Sequence, residues 1–248
     1  MIDPKHYHAP PGLLKDRVIL VTGAGAGIGR ALSRACAAHG ATVLLLGRTI
    51  SKLEKVYDEI LQDGHPQPAI CPMDLGVAQG PAYDELTEKI DQEYGRLDGL
   101  VHNASLLGDR TPIEQYDIGK WQTVMHVNVN APFILTRVCL PLLKRAKDAS
   151  IVFTSSGVGR TGRAYWGAYA VSKFATEGLS QVLADELSDT TIRANVINPG
   201  KTRTNMRLQA YPAEDRSTLA QPEDVVAPYL YLLGPDSKDV NGESIDCQ

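Results

Sequence analysis

Two kinds of segment alternate along the chain. Short runs of consecutive apolar, mostly β-branched residues occur at Val18–Thr22, Thr42–Leu46, Ala69–Met73, Gly99–His102, Ile151–Thr154 and Ile192–Asn198. Runs that are apolar on both faces predict strands of a parallel sheet covered on two sides. Between them, apolar residues recur every three or four positions over Ile28–His39, Ser51–Gln62, Tyr83–Tyr94, Lys120–Lys144 and Ala168–Leu187. That spacing predicts helices with one buried face. Strand and helix taking turns, joined by right-handed crossovers, give an α/β fold: a single-domain, doubly wound parallel sheet of Rossmann type, about seven strands with helices on both faces. A further helix is expected from Pro222 and a last strand around Glu243–Cys247. Residues 1–16, with Pro4, Pro10, Pro11 and Gly12, predict an irregular N-terminal arm ahead of a single domain over 17–248. The stretch Arg203–Gln221 breaks the rhythm with three arginines and scattered polar residues. A long segment of this kind in a compact domain predicts a substrate lid.

Composition narrows the function classes. Of 248 residues, 43% are hydrophobic and 22% charged, enough apolar material for a sizeable core and too much for a disordered chain. The net charge of -4 argues against a basic surface for nucleic acid. No apolar run approaches the roughly 20 residues of a membrane-spanning helix, so no membrane partner is expected. The opening MIDPKHYHAPPGLLKDR has no apolar core of a secretory signal. Cys36, Cys71, Cys139 and Cys247 are scattered and form no CxxC pair, which predicts reduced thiols in the cytoplasm. His6 and His8 lack nearby cysteines or acids, and no HExxH occurs, so no metal site is expected.

The first strand ends in TGAGAGIG, with Thr22 followed by Gly23, Gly25, Gly27, Ile28 and Gly29. Glycine allows the positive φ and close approach of a tight strand-to-helix turn. The helix N-terminus offers free N–H groups and a positive dipole end to a phosphate. The strict GxGxxG pattern fails in every register; TGxxxGxG fits. A glycine-rich turn that only packs helix on sheet is the plainer alternative. The second strand ends in Leu46-Gly47-Arg48-Thr49, with no acid until Glu54. An NAD site usually places an acid there for the ribose 2′-hydroxyl, whereas an arginine suits a 2′-phosphate. Arg48 therefore favours NADP(H) over NAD(H), with an exposed structural arginine as the alternative.

Tyr169 and Lys173 stand four apart in GRAYWGAYAVSKFATEG, one turn apart on a helix face. An ammonium beside a phenol favours the phenolate, and a tyrosine so tuned exchanges a proton with an alcohol or carbonyl. Ser156, just after a strand, is placed to bond the same substrate oxygen. Alone, YxxxK is a common accident of a solvated helix. GxSxG is absent around Ser156, which weakens a hydrolase reading.

With these motifs in order, nearly the whole chain from Val18 resembles the short-chain dehydrogenase/reductase family. TGAGAGIG looks like the family's cofactor turn, and Asp74-Leu75 like the pair at the adenine. Asn103-Ala104 matches the element after strand four. Asn128, in VMHVNVNAPF, matches the catalytic asparagine, implied to hold a water linking Lys173 to solvent. Ser156, Tyr169 and Lys173 match the remaining catalytic positions; the last is implied also to hold the nicotinamide ribose. Pro199, Gly200, Thr202 and Thr204, in NPGKTRT, match the segment bordering the nicotinamide. LLGR, HNASLLGD, VNVNAPF and NPGKTRT together look most like bacterial YciK-type oxidoreductases. The resemblance implies an NADP(H)-dependent interconversion of a small-molecule carbonyl and alcohol, in a homodimer or homotetramer.

The chain also departs from the family pattern. Ser105 stands where the family has a glycine, so its backbone should have an ordinary φ or be strained. His102 is expected to be a packed strand-end histidine rather than an extra acid/base. Ala26 replaces a residue that is basic in some NADP-binding relatives, leaving Arg48 to recognise the phosphate. Trp166 with Tyr165 is a candidate pocket wall; an aromatic anchor in the core or at a subunit interface is the alternative. The functional alternative from another class is a catalytically silent NADP(H)-binding sensor or scaffold of the same fold.

Overall fold

The computed structural model describes residues 3–248. Strands β1 (Val18–Thr22), β2 (Thr42–Gly47), β3 (Ala69–Pro72), β4 (Gly99–His102), β5 (Ala149–Thr154), β6 (Ile192–Asn198) and β7 (Ser244–Asp246) form one seven-stranded sheet in the order β3-β2-β1-β4-β5-β6-β7, parallel throughout. Helices α1 (Gly27–Ala38), α2 (Ile50–Gln62) and α8 (Ala227–Leu233) cover one face; α3 (Gly80–Tyr94), α5 (Ala131–Leu143) and α6 (Gly167–Glu186) cover the other. The single-domain doubly wound fold is as the pattern predicts. Side chains alternate across the sheet: Ile19 and Val21 join the core under α1 and α8, while Val18 and Leu20 join the core under α3 and α5. Each buried Leu, Ile or Val contributes about 1.5–3 kcal/mol, so both helical layers are held by the strands' double-sided apolar character.

The strand order reverses between β1 and β4, which leave in opposite directions from the centre. At this switch point the carboxyl ends of the strands open a crevice, where open α/β sheets place ligands.

Three segments differ from expectation. The helix read over Lys120–Lys144 is α4 (Ile118–Met125), one π-helical turn (His126–Asn130) and α5. Pro132 has no N–H for an i−4 bond, and the wider turn before it absorbs the missing donor. The expected lid, Arg203–Gln221, contains α7 (Asn205–Ala210) and a 3-10 turn at Arg216–Thr218. Thr204 caps α7 by accepting the Arg207 N–H at 3.1 Å, and Thr202 bridges Ala220, pinning the segment's two ends together. Residues 3–16 are irregular apart from a 3-10 turn at Pro4–His6, yet they dock: Leu14 is fully buried, and Tyr7 donates to Asp236 at 2.8 Å while packing edge-on against Tyr231.

Candidate active site

At the end of β1, Thr22 ties the two strands of the switch point. Its Oγ1 donates to the Val101 carbonyl at 3.1 Å and accepts the N–H groups of Asn103 (2.9 Å) and Ala104 (3.0 Å). The chain then turns through Gly23 (φ 67) and Gly27 (φ 52) into α1, whose N-cap residue Ala26 has no side chain to bond the first-turn N–H groups. Gly23, Gly27 and Ile28 line a cavity of about 600 Å³ together with Asn103, Ala104, Ser105 and Leu107 after β4. This cradle fits a pyrophosphate: uncapped N–H groups, a positive dipole end, and no side chain in the way. Gly25 faces Lys52 on α2, and Gly29 sits beneath Gly23, so both serve the turn from outside the cavity.

The opposite wall comes from β5, α6 and the segment after β6. Ser156, Tyr169 and Lys173 line the cavity with Thr154, Ser155 and Trp166, facing Pro199, Gly200, Thr202 and Thr204. Gly159 makes this approach possible: a Cβ there would stand 2.7 Å from Ser155 Oγ and 2.8 Å from Lys173 Cβ. Gly200 (φ 73) turns the chain back after β6, where its N–H donates to Asn198 Oδ1 at 3.2 Å.

The electrostatics of Tyr169 and Lys173 differ from the simple expectation. Burial pushes the Tyr169 hydroxyl up to about 12, while its hydrogen bond with Ser156 acts the other way. Burial pulls the Lys173 ammonium down to about 8, against the attraction of Glu177. Lys173 Nζ donates to the Thr154 carbonyl at 2.7 Å and lies 5.5 Å from the centre of the Tyr169 ring. Desolvation of the phenol thus outweighs any lowering by the ammonium.

Asn128 stands on the π-helical turn, buried. Its Nδ2 donates to the Leu106 carbonyl (2.9 Å) and Ser172 Oγ (3.0 Å), and its Oδ1 accepts the Leu106 N–H (2.8 Å). Both amide hydrogens are spent joining the loop after β4 to α6, and the side chain makes no hydrogen bond to Lys173. Arg48 and Asp74 are exposed, and Leu75 is buried; all three lie outside the cavity, at the ends of β2 and β3. Among the described residues Arg48 has no ion-pair partner. Arg30, by contrast, lines the cavity but is held by Glu59 in a two-pronged pair at 2.8 and 2.9 Å.

Ser105 has no positive φ, so the serine is accommodated without backbone strain; its hydroxyl is buried and unpartnered. His102 is packed: it stacks on Phe153, bonds Thr136 Oγ1 at 2.8 Å, and burial holds its imidazole down at about 3. Trp166 is a pocket wall, buried against Tyr169 and Tyr211, whereas Tyr165 is exposed at φ 69. Arg110, Gly159 and Glu177 are structural contributors that the motifs did not single out. Only Glu177 left a trace in the sequence, one turn beyond Lys173.

The model of the short chain dehydrogenase family matches residues 17–215, and the chain belongs to the short-chain dehydrogenase/reductase family. It is 50% identical to the oxidoreductase YciK of Escherichia coli (strain K12) over 243 residues, 98% of this chain and 96% of that protein, which bears out the YciK-type resemblance. A short chain dehydrogenase structure from Pseudomonas syringae is 59% identical, with a TM-score of 0.97 and full coverage of both chains. Another, from Escherichia coli CFT073 and complexed with NADPH, is 50% identical, with a TM-score of 0.94 over 96% of this chain and 100% of that one.

Proposed function

We propose that this oxidoreductase interconverts a carbonyl and an alcohol with NADP(H), using Tyr169 as general acid and base. The observation that carries the reading is convergence: Ser156, Tyr169 and Lys173 stand on one wall of a cavity whose other walls are the glycine turn and Pro199–Thr204. The NADPH in the Escherichia coli CFT073 relative supports the cofactor. When bound, NADP(H) supplies or accepts a hydride at the substrate carbon.

The remaining work falls to side chains of this chain. Ser156 orients the substrate oxygen. Tyr169, raised by burial, keeps its proton at neutral pH, the form that carbonyl reduction uses. Lys173 brings a positive charge under the phenol that stabilises the phenolate as it forms. Asn128 keeps the loop after β4 against α6, so that Leu107 and Ser105 stay in the cavity wall, and holds the water that links Lys173 to solvent. Gly23, Gly27 and Ile28 line the phosphate cradle, Gly25 and Gly29 shape its turn from behind, Arg48 meets the 2′-phosphate, Asp74 and Leu75 border the adenine, and Asn103, Ala104, Pro199, Gly200, Thr202 and Thr204 border the nicotinamide side.

Phe133, Val171, Phe174 and Val182 are exposed on α5 and α6, and we assign this face to a homodimer or homotetramer. Light scattering should return two or four times 26.9 kDa; a monomer overturns this assignment. No described helix is long and apolar enough to cross a membrane. All four cysteines are free, which suits a reducing cytoplasm.

The test of function is Tyr169→Phe, followed at the NADPH absorbance band over a panel of aldehydes and ketones. Turnover by the wild type and its loss in the variant, with NADPH still bound, supports the reading. Undiminished turnover in the variant sinks the tyrosine role, and tight NADPH binding with no turnover on any substrate favours a silent sensor.

A further inference from the structure

Beyond Lys173, α6 buries one more charged group, Glu177. Glu177 lies on α6 one turn beyond Lys173, as Lys173 lies one turn beyond Tyr169, so the three share a helix face with neighbours roughly 5–6 Å apart at Cβ. The Glu177 side chain is 10% exposed. A carboxylate so buried costs several kcal/mol unless other groups hold it there. Two groups do. Ser244 of β7 donates to Oε2 at 2.7 Å. Arg160 approaches Oε1 at 3.5 Å, an ion contact without a hydrogen bond. Lys173, buried one turn away, makes no ion pair with Glu177 within 4.0 Å; its Nζ donates to the neutral Thr154 carbonyl, so Glu177 acts on it through space.

Arg160 connects this carboxylate to the rest of the site. It belongs to the turn that starts at Ser156, and it donates to Asp246 Oδ1 at 2.8 Å and to Ser244 Oγ at 2.6 Å. The same Asp246 oxygen accepts from Asn198 at 2.8 Å, just before Pro199 and Gly200. Thus the Ser156 turn, the Lys173 helix and the end of β6 are tied through one chain of charges whose only member beside Lys173 is Glu177.

We propose that Glu177 is a positioning residue acting through Lys173: its buried carboxylate, one turn away on the same helix face and held by Ser244 of β7, favours the ammonium form beneath Tyr169. The proposal rests on the reading of Tyr169 and Lys173 as the proton-handling pair. The groups facing Lys173 are few. From α6 come Tyr169 and Glu177. From β5 and the turn after it come Thr154, Ser155 and Ser156, none of them charged. Behind Glu177 stands Arg160 with Asp246, and from α8 comes Tyr229, whose neutral hydroxyl shares a 2.9 Å hydrogen bond with Thr154 Oγ1. Glu177 is the one anion among them that stands next to the ammonium along α6. Without it, burial acts on Lys173 unopposed, and the ammonium gives up its proton at lower pH.

The test needs no substrate. Lysine labelled with carbon-13 at Cε is incorporated, and the Lys173 resonance is assigned from Lys173→Met. Its titration midpoint is then compared in the wild type, Glu177→Gln and Arg160→Gln, each checked by thermal melting. The proposal expects the midpoint to fall by about one pH unit or more in Glu177→Gln, the scale of losing one close opposite charge. It expects the midpoint to rise or hold in Arg160→Gln, which removes a repelling cation. Opposite behaviour distinguishes charge from packing, because loosening of β7 would move both variants the same way. An unchanged midpoint in Glu177→Gln, or a parallel fall in both variants, overturns the proposal. If Glu177→Gln does not fold, the charge-free Glu177→Met is used, and an unchanged midpoint there overturns the proposal equally. Because the midpoint is read on the free protein, failure here is separate from failure of Tyr169→Phe to abolish turnover.

Discussion

The Gly23 carbonyl oxygen lies 2.2 Å from where a β-carbon on Gly29 would stand, and Asn103 Nδ2 lies 2.6 Å from the same point. The last glycine of the turn is therefore required by contact with the first, not by its own φ. Gly29→Ala must displace the turn or α1. Overpacking of this kind costs about 1–3 kcal/mol, and a chain of this size loses about 2–4 °C in Tm per kcal/mol. NADPH affinity, measured by fluorescence titration, should fall at least about tenfold, the effect of 1.4 kcal/mol.

Arg48 is exposed at the end of β2 and has no ion-pair partner among the described residues, while Arg30 is engaged by Glu59. If Arg48 meets a 2′-phosphate, Arg48→Ala removes one or two charge-assisted hydrogen bonds, worth about 1.5–3 kcal/mol. NADPH should bind about 10–100-fold more weakly and NADH unchanged. Equal losses for both cofactors would refute the phosphate role.

His102 makes acid stability the third prediction. Its imidazole is held at about 3 in the folded chain against an ordinary value of 6.5. Between these values the unfolded chain binds the extra proton and the folded chain does not. The stability this group gives is therefore complete above pH 6.5 and is lost as the pH falls toward 3, by up to about 1.4 kcal/mol per unit. Urea unfolding across pH 4–7 should show this slope in the wild type and a flatter one in His102→Gln. Identical slopes would mean that the histidine does not carry the effect.

Arg110 acts as a latch on α7. Its guanidinium lies 4.6 Å from the Trp166 ring centre and 4.8 Å from that of Tyr211, and it donates to the Ala210 carbonyl at the end of the helix. Each cation–π contact is worth about 0.5–2 kcal/mol. Arg110→Ala should open the segment locally, so that proteinase K cleaves within 205–218 about tenfold faster, the effect of 1.4 kcal/mol. Arg110→Lys should be intermediate, keeping the charge but losing the planar fork. Unchanged cleavage in Arg110→Ala would show that α7 is held by Thr204 and the Thr202–Ala220 bridge alone.

Much of this molecule is legible in one dimension. The strands declare themselves because β-branched runs buried on both faces have few other uses, and the helices because one face must be apolar. The glycine turn is legible as a cluster, and Tyr169 with Lys173 as a one-turn spacing. The π-helical turn at His126–Asn130 was hidden, since helical spacing continues through it and only Pro132 hints at the broken ladder. Structure within the supposed lid was hidden too, because a six-residue helix carries almost no periodicity and is held by the Thr204 cap.

The sequence by itself determined the family, the doubly wound sheet and the residues that could do proton chemistry, because these follow from short-range patterns and motif order. Only the tertiary structure decided which of those residues meet. It brought Ser156, Tyr169 and Lys173 to one cavity wall, left Arg48 and Asp74 outside it, joined Asn128 to Leu106 and Ser172, and linked Glu177 to Ser244 and Arg160. It also reversed the expected balance at Tyr169. The reason is physical: burial and long-range contact shift a charge more than its neighbours along the chain, and neither is written in local spacing.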